Sequence, residues 1–319
     1  MTVQSNYDTL VTVFGGSGFV GRHVVRALAK RHYRIRVAVR RPELAGHLQP
    51  LGRVGQIHSV QANLRHGGSI ASAVRDADVV VNLVGILHER GRQRFDAVHT
   101  AGAEAVAQAA ALHGARLVHM STLGADATAT SAYARSKAAG EKAVLAALPG
   151  ATIVRPSIIF GPEDDFFNKF ASIARFVPAL PLIGGGRTRF QPVFAGDVAA
   201  AFAAAVAGET KPGTVYELGG PEALSFRELM DYVLATIERK RLLVPIPFGL
   251  AKLQAFFLQL MPKPMLTPDQ VEMLRRDSVV SDAAEREGRT LRGLNIEPTS
   301  MQAIVPSYLW RVRRSGQFQ

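Results

Sequence analysis

Tyr133 and Lys137 stand four residues apart in SAYARSK, and Ser121 precedes them in HMSTLGAD. On a helix, positions i and i+4 share one face. An ammonium beside a phenol favours the phenolate and draws its pKa down from about 10. Such a phenol is a usable general acid or base near neutral pH, and the Ser121 hydroxyl can bond a substrate carbonyl. The chemistry implied is proton transfer at a carbonyl or alcohol oxygen. The Y-x-x-x-K spacing recurs by chance in many helices, so its surroundings must carry the reading.

Upstream, the run Gly15–Gly16–Ser17–Gly18–Phe19–Val20–Gly21 places three glycines in a G-x-x-G-x-x-G spacing. A first glycine permits a tight turn with positive φ. A second lets the backbone approach a pyrophosphate, and a third lets the following helix pack closely on the strand. The helix N-terminus then offers free N–H groups and its dipole to the phosphates. A bare glycine pattern is weak, but this one follows a strand and opens a helix, which points to dinucleotide binding. At the end of the next strand stand Arg40 and Arg41, where an NAD site usually has a carboxylate for the ribose 2′-hydroxyl. A guanidinium pairs with a 2′-phosphate that a carboxylate would repel. NADP(H) is therefore expected in preference to NAD(H), with Arg22 in the first helical turn as an assistant. One of the two arginines can equally be a solvated loop charge.

The elements that must position these residues read as alternating strands and helices. Strands are expected at 10–14, 33–39, 56–60, 78–84, 116–120 and 151–154, with helices at 18–31, 70–74, 95–113 and 132–148 between them. That rhythm predicts an α/β fold with a doubly wound parallel sheet. After Pro156 proline and glycine become frequent, including Gly184 to Gly186, and the rhythm returns only at a helix over 197–206 and a strand over 215–218. Ser225 and Glu228 form an S-x-x-E capping box opening another helix. The expected organisation is a Rossmann domain over 1–155 completed by 190–218. A smaller, mostly helical substrate or interface domain takes 156–189 and 219–319.

The 319 residues contain no cysteine, which removes disulfides, Cys-ligated metals and thiol catalysis. The nine histidines show no metal-ligand spacing, so no metal is expected. Glu163, Asp164 and Asp165 read as a solvated loop or an arginine partner site, and Asp197 as a helix N-cap. Lys+Arg exceed Asp+Glu by 38 to 26, and most of that excess lies in residues 1–150. A nucleic-acid partner would call for interleaved aromatics or a recognition helix; the basic stretch 22–41 has only Tyr33, so a phosphate-rich cofactor accounts for part of the charge. No apolar run is long enough to span a bilayer. The stretch 248–261 is either a core helix of the smaller domain or an interface helix lying on a membrane or a membrane-bound partner, with Lys252, Lys263, Arg311, Arg313 and Arg314 facing anionic headgroups. The polar first ten residues carry no presequence, and a cytoplasmic protein peripheral to an inner membrane is expected.

The order Gly15–x–x–Gly18–x–x–Gly21, Asn82–Leu83–Val84–Gly85, Ser121, Tyr133…Lys137, Arg155–Pro156 and Gly161–Pro162 resembles the extended or atypical short-chain dehydrogenases/reductases. That resemblance implies a catalytic Tyr133/Lys137 pair, with Ser121 orienting substrate and Lys137 also touching the nicotinamide ribose. It further implies that Leu64, Leu83, Val84, Gly85 and Pro156 border the nucleotide, with Asn63 where many relatives bond the adenine through an aspartate. Over nearly the whole chain, segments 119–126, 131–144, 153–173, 190–202 and 266–282 are similar to the NADPH-binding accessory subunits of respiratory complex I and their bacterial relatives. In that family the nucleotide is held tightly and is not on the electron path. Two functions follow. One is a structural or assembly subunit of complex I. The other is an active NADP(H)-dependent reductase or dehydrogenase on an apolar carbonyl or alcohol, with quinone metabolism as one setting for it.

Overall fold

The structure is a computed structural model that describes residues 6–261 and 264–313. Its first strands are β1 (Leu10–Phe14), β2 (Arg34–Val39), β3 (Ile57–Gln61), β4 (Val79–Asn82), β5 (Arg116–Met120) and β6 (Thr152–Pro156). The later ones are β7 (Ile159–Phe160), β8 (Ala179–Ile183), β9 (Arg189–Phe190), β10 (Val193–Phe194), β11 (Val215–Leu218), β12 (Leu224–Ser225) and β13 (Leu242–Ile246). Seven strands make one parallel sheet in the order β3-β2-β1-β4-β5-β6-β11. The doubly wound sheet expected from the alternation is thus present. Strand order reverses between β1 and β4, and the crevice beyond their carboxyl ends is where such sheets take ligands.

The connecting helices are α1 (Phe19–Lys30), α2 (Gly67–Val74), α3 (Gly102–Leu112), α4 (Ala132–Ala147), α5 (Phe167–Phe176), α6 (Ala195–Ala207), α7 (Phe226–Thr236), α8 (Phe248–Leu258) and α9 (Pro268–Met273). Side chains alternate across a strand, and β1 shows the result. Val11 and Val13 pack with Val24, Leu28 and Phe202 of α1 and α6. Phe14 packs on the opposite face with Ile70, Val106 and Val144 of α2, α3 and α4. Thr12, fully buried on that second face, donates its hydroxyl to the Ala73 carbonyl at 2.9 Å, so no polar group is stranded in the sheet.

A third apolar cluster joins Phe160, Phe167, Leu180, Phe226, Leu229, Val233 and Tyr308, tying α5, β8 and α7 to the C-terminal helical turns. The Ser225/Glu228 capping box forms as expected at the start of α7. Several expectations need correction. The helix expected over 95–113 opens with a π-helical segment, Asp96–Ala101, before α3. The α4 helix lies close against this segment: a Cβ at Gly140 would overlap the His99 carbonyl oxygen. Asp197 is not an N-cap. The α6 helix starts at Ala195, and the Asp197 carboxylate accepts Thr299 N–H at 2.6 Å and its hydroxyl at 2.9 Å, anchoring a distant segment. Asp164 is not solvated either; it is buried and accepts the Tyr308 hydroxyl and the N–H groups of Gly161 and Asn168.

Among the described residues no helix is long and apolar enough to cross a membrane. The α8 helix ends at Leu258, short of the expected Met261. Lys263 and Arg314, expected at a membrane face, lie outside the described residues.

Candidate functional site

The glycine turn is built as its spacing predicts. Gly15 has φ +78°, a conformation that disfavours a side chain. A Cβ on Gly21 would overlap the Gly15 carbonyl, so α1 can lie against the turn only with glycine there. Gly18 differs: it is exposed, and a Cβ there would meet only the Gly15 oxygen at 3.3 Å. It caps α1 without any side-chain hydrogen bond, leaving the first N–H groups of the helix open toward the crevice. Ser17 and Phe19 are half-buried and Val20 is buried. Leu83 is buried, with half-buried Val84 and exposed Gly85 after it, and they follow β4 on the other side of the same crevice.

Arg40 and Arg41 leave the end of β2 exposed, and among the described residues no carboxylate pairs with either. Arg22 is committed elsewhere: its guanidinium pairs with Glu163 at 3.2 Å, while its buried Nε has no protein partner. This makes Glu163 an arginine partner. Asn63 uses its side-chain oxygen locally, accepting Arg65 N–H at 3.2 Å. Leu64 is half-buried beside Gly102.

Ser121, Tyr133 and Lys137 are all buried near the ends of β5 and the start of α4. Lys137 Nζ donates to the Met120 carbonyl at 3.0 Å. Burial brings its ammonium down to about 8, with the Glu141 carboxylate opposing. Burial pushes the Tyr133 phenol up to about 12, and the Asp269 carboxylate adds to the rise, against a hydrogen bond with Thr122. The phenol is therefore protonated at neutral pH, opposite to the lowering expected from the Y-x-x-x-K spacing. Burial outweighs any lowering by the ammonium. The Ser121 hydroxyl is buried with no hydrogen-bond partner in the protein. An unsatisfied buried hydroxyl of this kind calls for a ligand or water.

His99 is a member of the site that sequence reasoning missed. Its ring stacks on Phe95 with centroids 5.4 Å apart and meets Tyr133 edge-on at 5.3 Å. The Ile86 N–H donates to Nε2 at 3.0 Å, so the proton resides on Nδ1, which donates to Ser136 Oγ at 2.9 Å. Ser136 in turn donates to the Tyr133 carbonyl at 2.7 Å. Burial, helped by the Lys137 charge, brings His99 down to about 3, and it is neutral. A lone histidine in an Ala-rich helix offers no signal for this role. Pro156 is buried at the end of β6; its neighbour Arg155 makes a two-pronged pair with Glu141 at 2.8 and 2.6 Å and so holds α4 to the sheet.

The segment after α8 closes over the start of α4. The Asp269 carboxylate accepts Ser131 Oγ at 2.8 Å, Ala132 N–H at 2.6 Å and Tyr133 N–H at 3.2 Å. Glu272 accepts the Thr130 hydroxyl at 3.0 Å and pairs with Lys252 of α8 at 3.1 Å.

A glycine turn at the switch point of a doubly wound sheet, with Ser, Tyr and Lys beside it, defines a nucleotide-dependent oxidoreductase or epimerase architecture. Residues 11–219 match the NAD dependent epimerase/dehydratase family, and the chain belongs to it. Among its relatives is subunit 9 of the NADH dehydrogenase (ubiquinone) 1 alpha subcomplex of Arabidopsis thaliana mitochondria, 36% identical over 96% of this chain and 79% of the relative. The Mus musculus protein of the same name is 33% identical over 92% and 78%. The Escherichia coli NADPH-dependent quinone oxidoreductase QOR2, solved with NADPH, shares the fold with a TM-score of 0.74. It is 19% identical, over 94% of this chain and 99% of that one.

Proposed function

We propose that this protein holds NADP(H) as an accessory or assembly subunit of respiratory complex I, with the nucleotide stabilising the fold. The residues present fit the nucleotide. Gly18 leaves backbone open for a pyrophosphate, α1 presents uncapped N–H groups, and Arg40 and Arg41 stand free for a 2′-phosphate. Lys137 Nζ, bonded to the Met120 carbonyl, has further protons to offer a ribose hydroxyl. A nucleotide that binds only the native state stabilises it by mass action.

One observation carries the subunit reading. The stretch 266–282, which resembles complex I subunits, supplies Asp269 and Glu272, and these clamp the turn bearing Tyr133. The phenol that a reductase would present to substrate is buried on the element so clamped. The similarity of nearly the whole chain to subunit 9 relatives supports the same conclusion. We place the division between the Rossmann part and the smaller part at 155/156, with 190–218 returning to the first. We place the protein on the cytoplasmic side of the membrane, as a peripheral component. The outward face of α8 is the contact, since Leu253, Phe256 and Phe257 are more than half exposed.

A second reading, an active reductase, is favoured by the unpartnered Ser121 hydroxyl. In it Ser121 binds a carbonyl oxygen, Tyr133 delivers its proton to that oxygen, and Lys137 would hold the ribose of a nucleotide that would supply the hydride. Replacing Tyr133 by Phe separates the two. Undiminished NADH:quinone activity of membranes from a Tyr133→Phe strain, with loss on glycine-turn substitution, supports the subunit role. A substrate-dependent NADP(H) turnover abolished by Tyr133→Phe overturns it.

A further inference from the structure

The basic residues nearest the exposed face of α8 and the C-terminus are largely spent on the protein itself. Lys252 pairs with Glu272 at 3.1 Å, Arg313 with Glu238 at 3.3 Å, and Arg311 donates to Asn168 at 2.5 Å. A different set of cations lies beside α8. A cleft of about 610 Å³ opens between the Gly184–Gly186 turn, the start of α7 and the end of β13, and Arg187, Arg189 and Arg227 line it. All three are exposed. Among the described residues Arg187 and Arg227 have no side-chain partner, and Arg189 gives one donor to the Ala223 carbonyl at 3.2 Å. The one carboxylate lining the cleft, Glu228, is occupied by the Ser225 N–H and hydroxyl, both at 2.7 Å. Asp277 accepts the Arg189 backbone N–H at 2.8 Å.

The cleft adjoins the start of the apolar helix through its glycine turn. Each glycine of the turn has positive φ, and a Cβ on Gly184 would overlap the Phe248 ring, the first residue of α8. The Arg275 guanidinium covers that ring at 4.5 Å, though it is itself paired with Glu272 at 3.1 Å. Pro245 lines the cleft, and Val244 before it is exposed, as are Leu250 and Leu253 on α8. Guanidinium groups beside an outward apolar surface match one ligand form: a phosphate joined to hydrocarbon.

We propose that this cleft holds the phosphate of an anionic phospholipid whose acyl region rests against the outward face of α8. The inference rests on, and deepens, the membrane contact proposed above. Two guanidinium groups without protein partners favour a head group that brings no cation of its own, such as phosphatidylglycerol, over phosphatidylcholine.

Co-sedimentation of the full chain with vesicles of phosphatidylcholine alone, or with phosphatidylglycerol added, tests this. Wild type should prefer the anionic vesicles. R187Q/R189Q/R227Q should lose that preference by about fivefold for each guanidinium removed. R75Q/R286Q/R292Q, equal in charge loss but elsewhere on the surface, should keep it. Both variants should melt with the wild type and bind NADP(H) equally, as exposed substitutions would. If the two triple variants weaken binding alike, or the cleft variant binds as wild type, the cleft assignment fails while the membrane contact stands. If wild type sediments with neither vesicle, both fail. If inorganic phosphate raises the melting temperature of wild type but not of the cleft variant, and vesicle binding ignores the substitutions, the site takes soluble phosphate and the lipid assignment is overturned.

Discussion

Asp269 accepts the backbone N–H of Tyr133 at 3.2 Å, so a residue far along the chain holds the turn that presents the site's phenol. The same carboxylate takes Ala132 N–H and the Ser131 hydroxyl, doing for α4 what an N-cap does from within a helix, while Ser131 itself caps Ala134. Asp269→Ala should therefore destabilise the fold by about 1–3 kcal/mol, from the lost cap and from N–H groups left without an acceptor. It should also lower the Tyr133 pKa, because the carboxylate raises it. Urea unfolding and a phenolate absorbance titration, with Tyr133→Phe to identify the signal, measure both. An unchanged titration would show that Asp269 does not act on the phenol.

Lys137 and Tyr133 give opposite pH signatures. Lys137 is held near 8, below the 10.5 of a free lysine, so the native state resists its protonation. Its contribution opposes folding below pH 8 and is relieved as pH rises from about 8 to 10.5. Tyr133 is held near 12, above the free value of 10. Its contribution is fully present below pH 10 and is lost as pH climbs from 10 to 12. Stability should thus rise and then fall across the alkaline range. Lys137→Met should remove the rise, and Tyr133→Phe should soften the fall. A rise that persists in Lys137→Met would assign it to another group.

The strands of the sheet were readable because buried parallel strands announce themselves as short β-branched runs, as in LVTVF and VVVN. The glycine turn was readable because Gly15 and Gly21 answer local steric demands. The capping box of α7 was readable because both partners lie within four residues. What escaped was non-local. Asp197 looked like a cap because only its own helix was in view, whereas its partner is Thr299. Asp164 sat among acidic neighbours that suggested solvent, yet Tyr308 covers it. His99 joins the site from a π-helical segment that α4 approaches closely at Gly140, a contact that lies far off in sequence. The direction of the Tyr133 shift escaped for a related reason: the spacing names the ammonium, but burial depends on everything packed around the ring.

Two glycines of one motif should fail in different ways. Gly21→Ala forces a methyl into the Gly15 carbonyl and the Gly16 backbone, which cannot yield as a flexible side chain would. It should cost several kcal/mol or prevent folding, beyond the usual 1–3 kcal/mol of overpacking. Gly18→Ala meets one oxygen at 3.3 Å on an exposed rim, so the fold should be nearly as stable. Its methyl would stand where the pyrophosphate approaches, and NADP(H) affinity should fall about tenfold or more. Thermal unfolding without and with NADPH reads both effects. Equal losses of stability in the two variants would refute the division of labour.

Arg40 offers the sharpest test of cofactor choice. It is exposed at the end of β2 with no protein carboxylate to neutralise it, so a 2′-phosphate would gain a charge-assisted pair at little desolvation cost. A hydrogen bond to a charged group contributes roughly 1.5–3 kcal/mol, which is about ten- to a hundredfold in affinity. Arg40→Ala should weaken NADPH by that factor and leave NADH unchanged, and Arg41→Ala should do so less if Arg41 is the solvated member of the pair. The preference should shrink with added salt, because the contact is open to solvent. Calorimetric titrations of both nucleotides at two ionic strengths decide the matter. Equal losses for NADPH and NADH would mean that Arg40 touches a group the two nucleotides share, and the 2′-phosphate contact would fall.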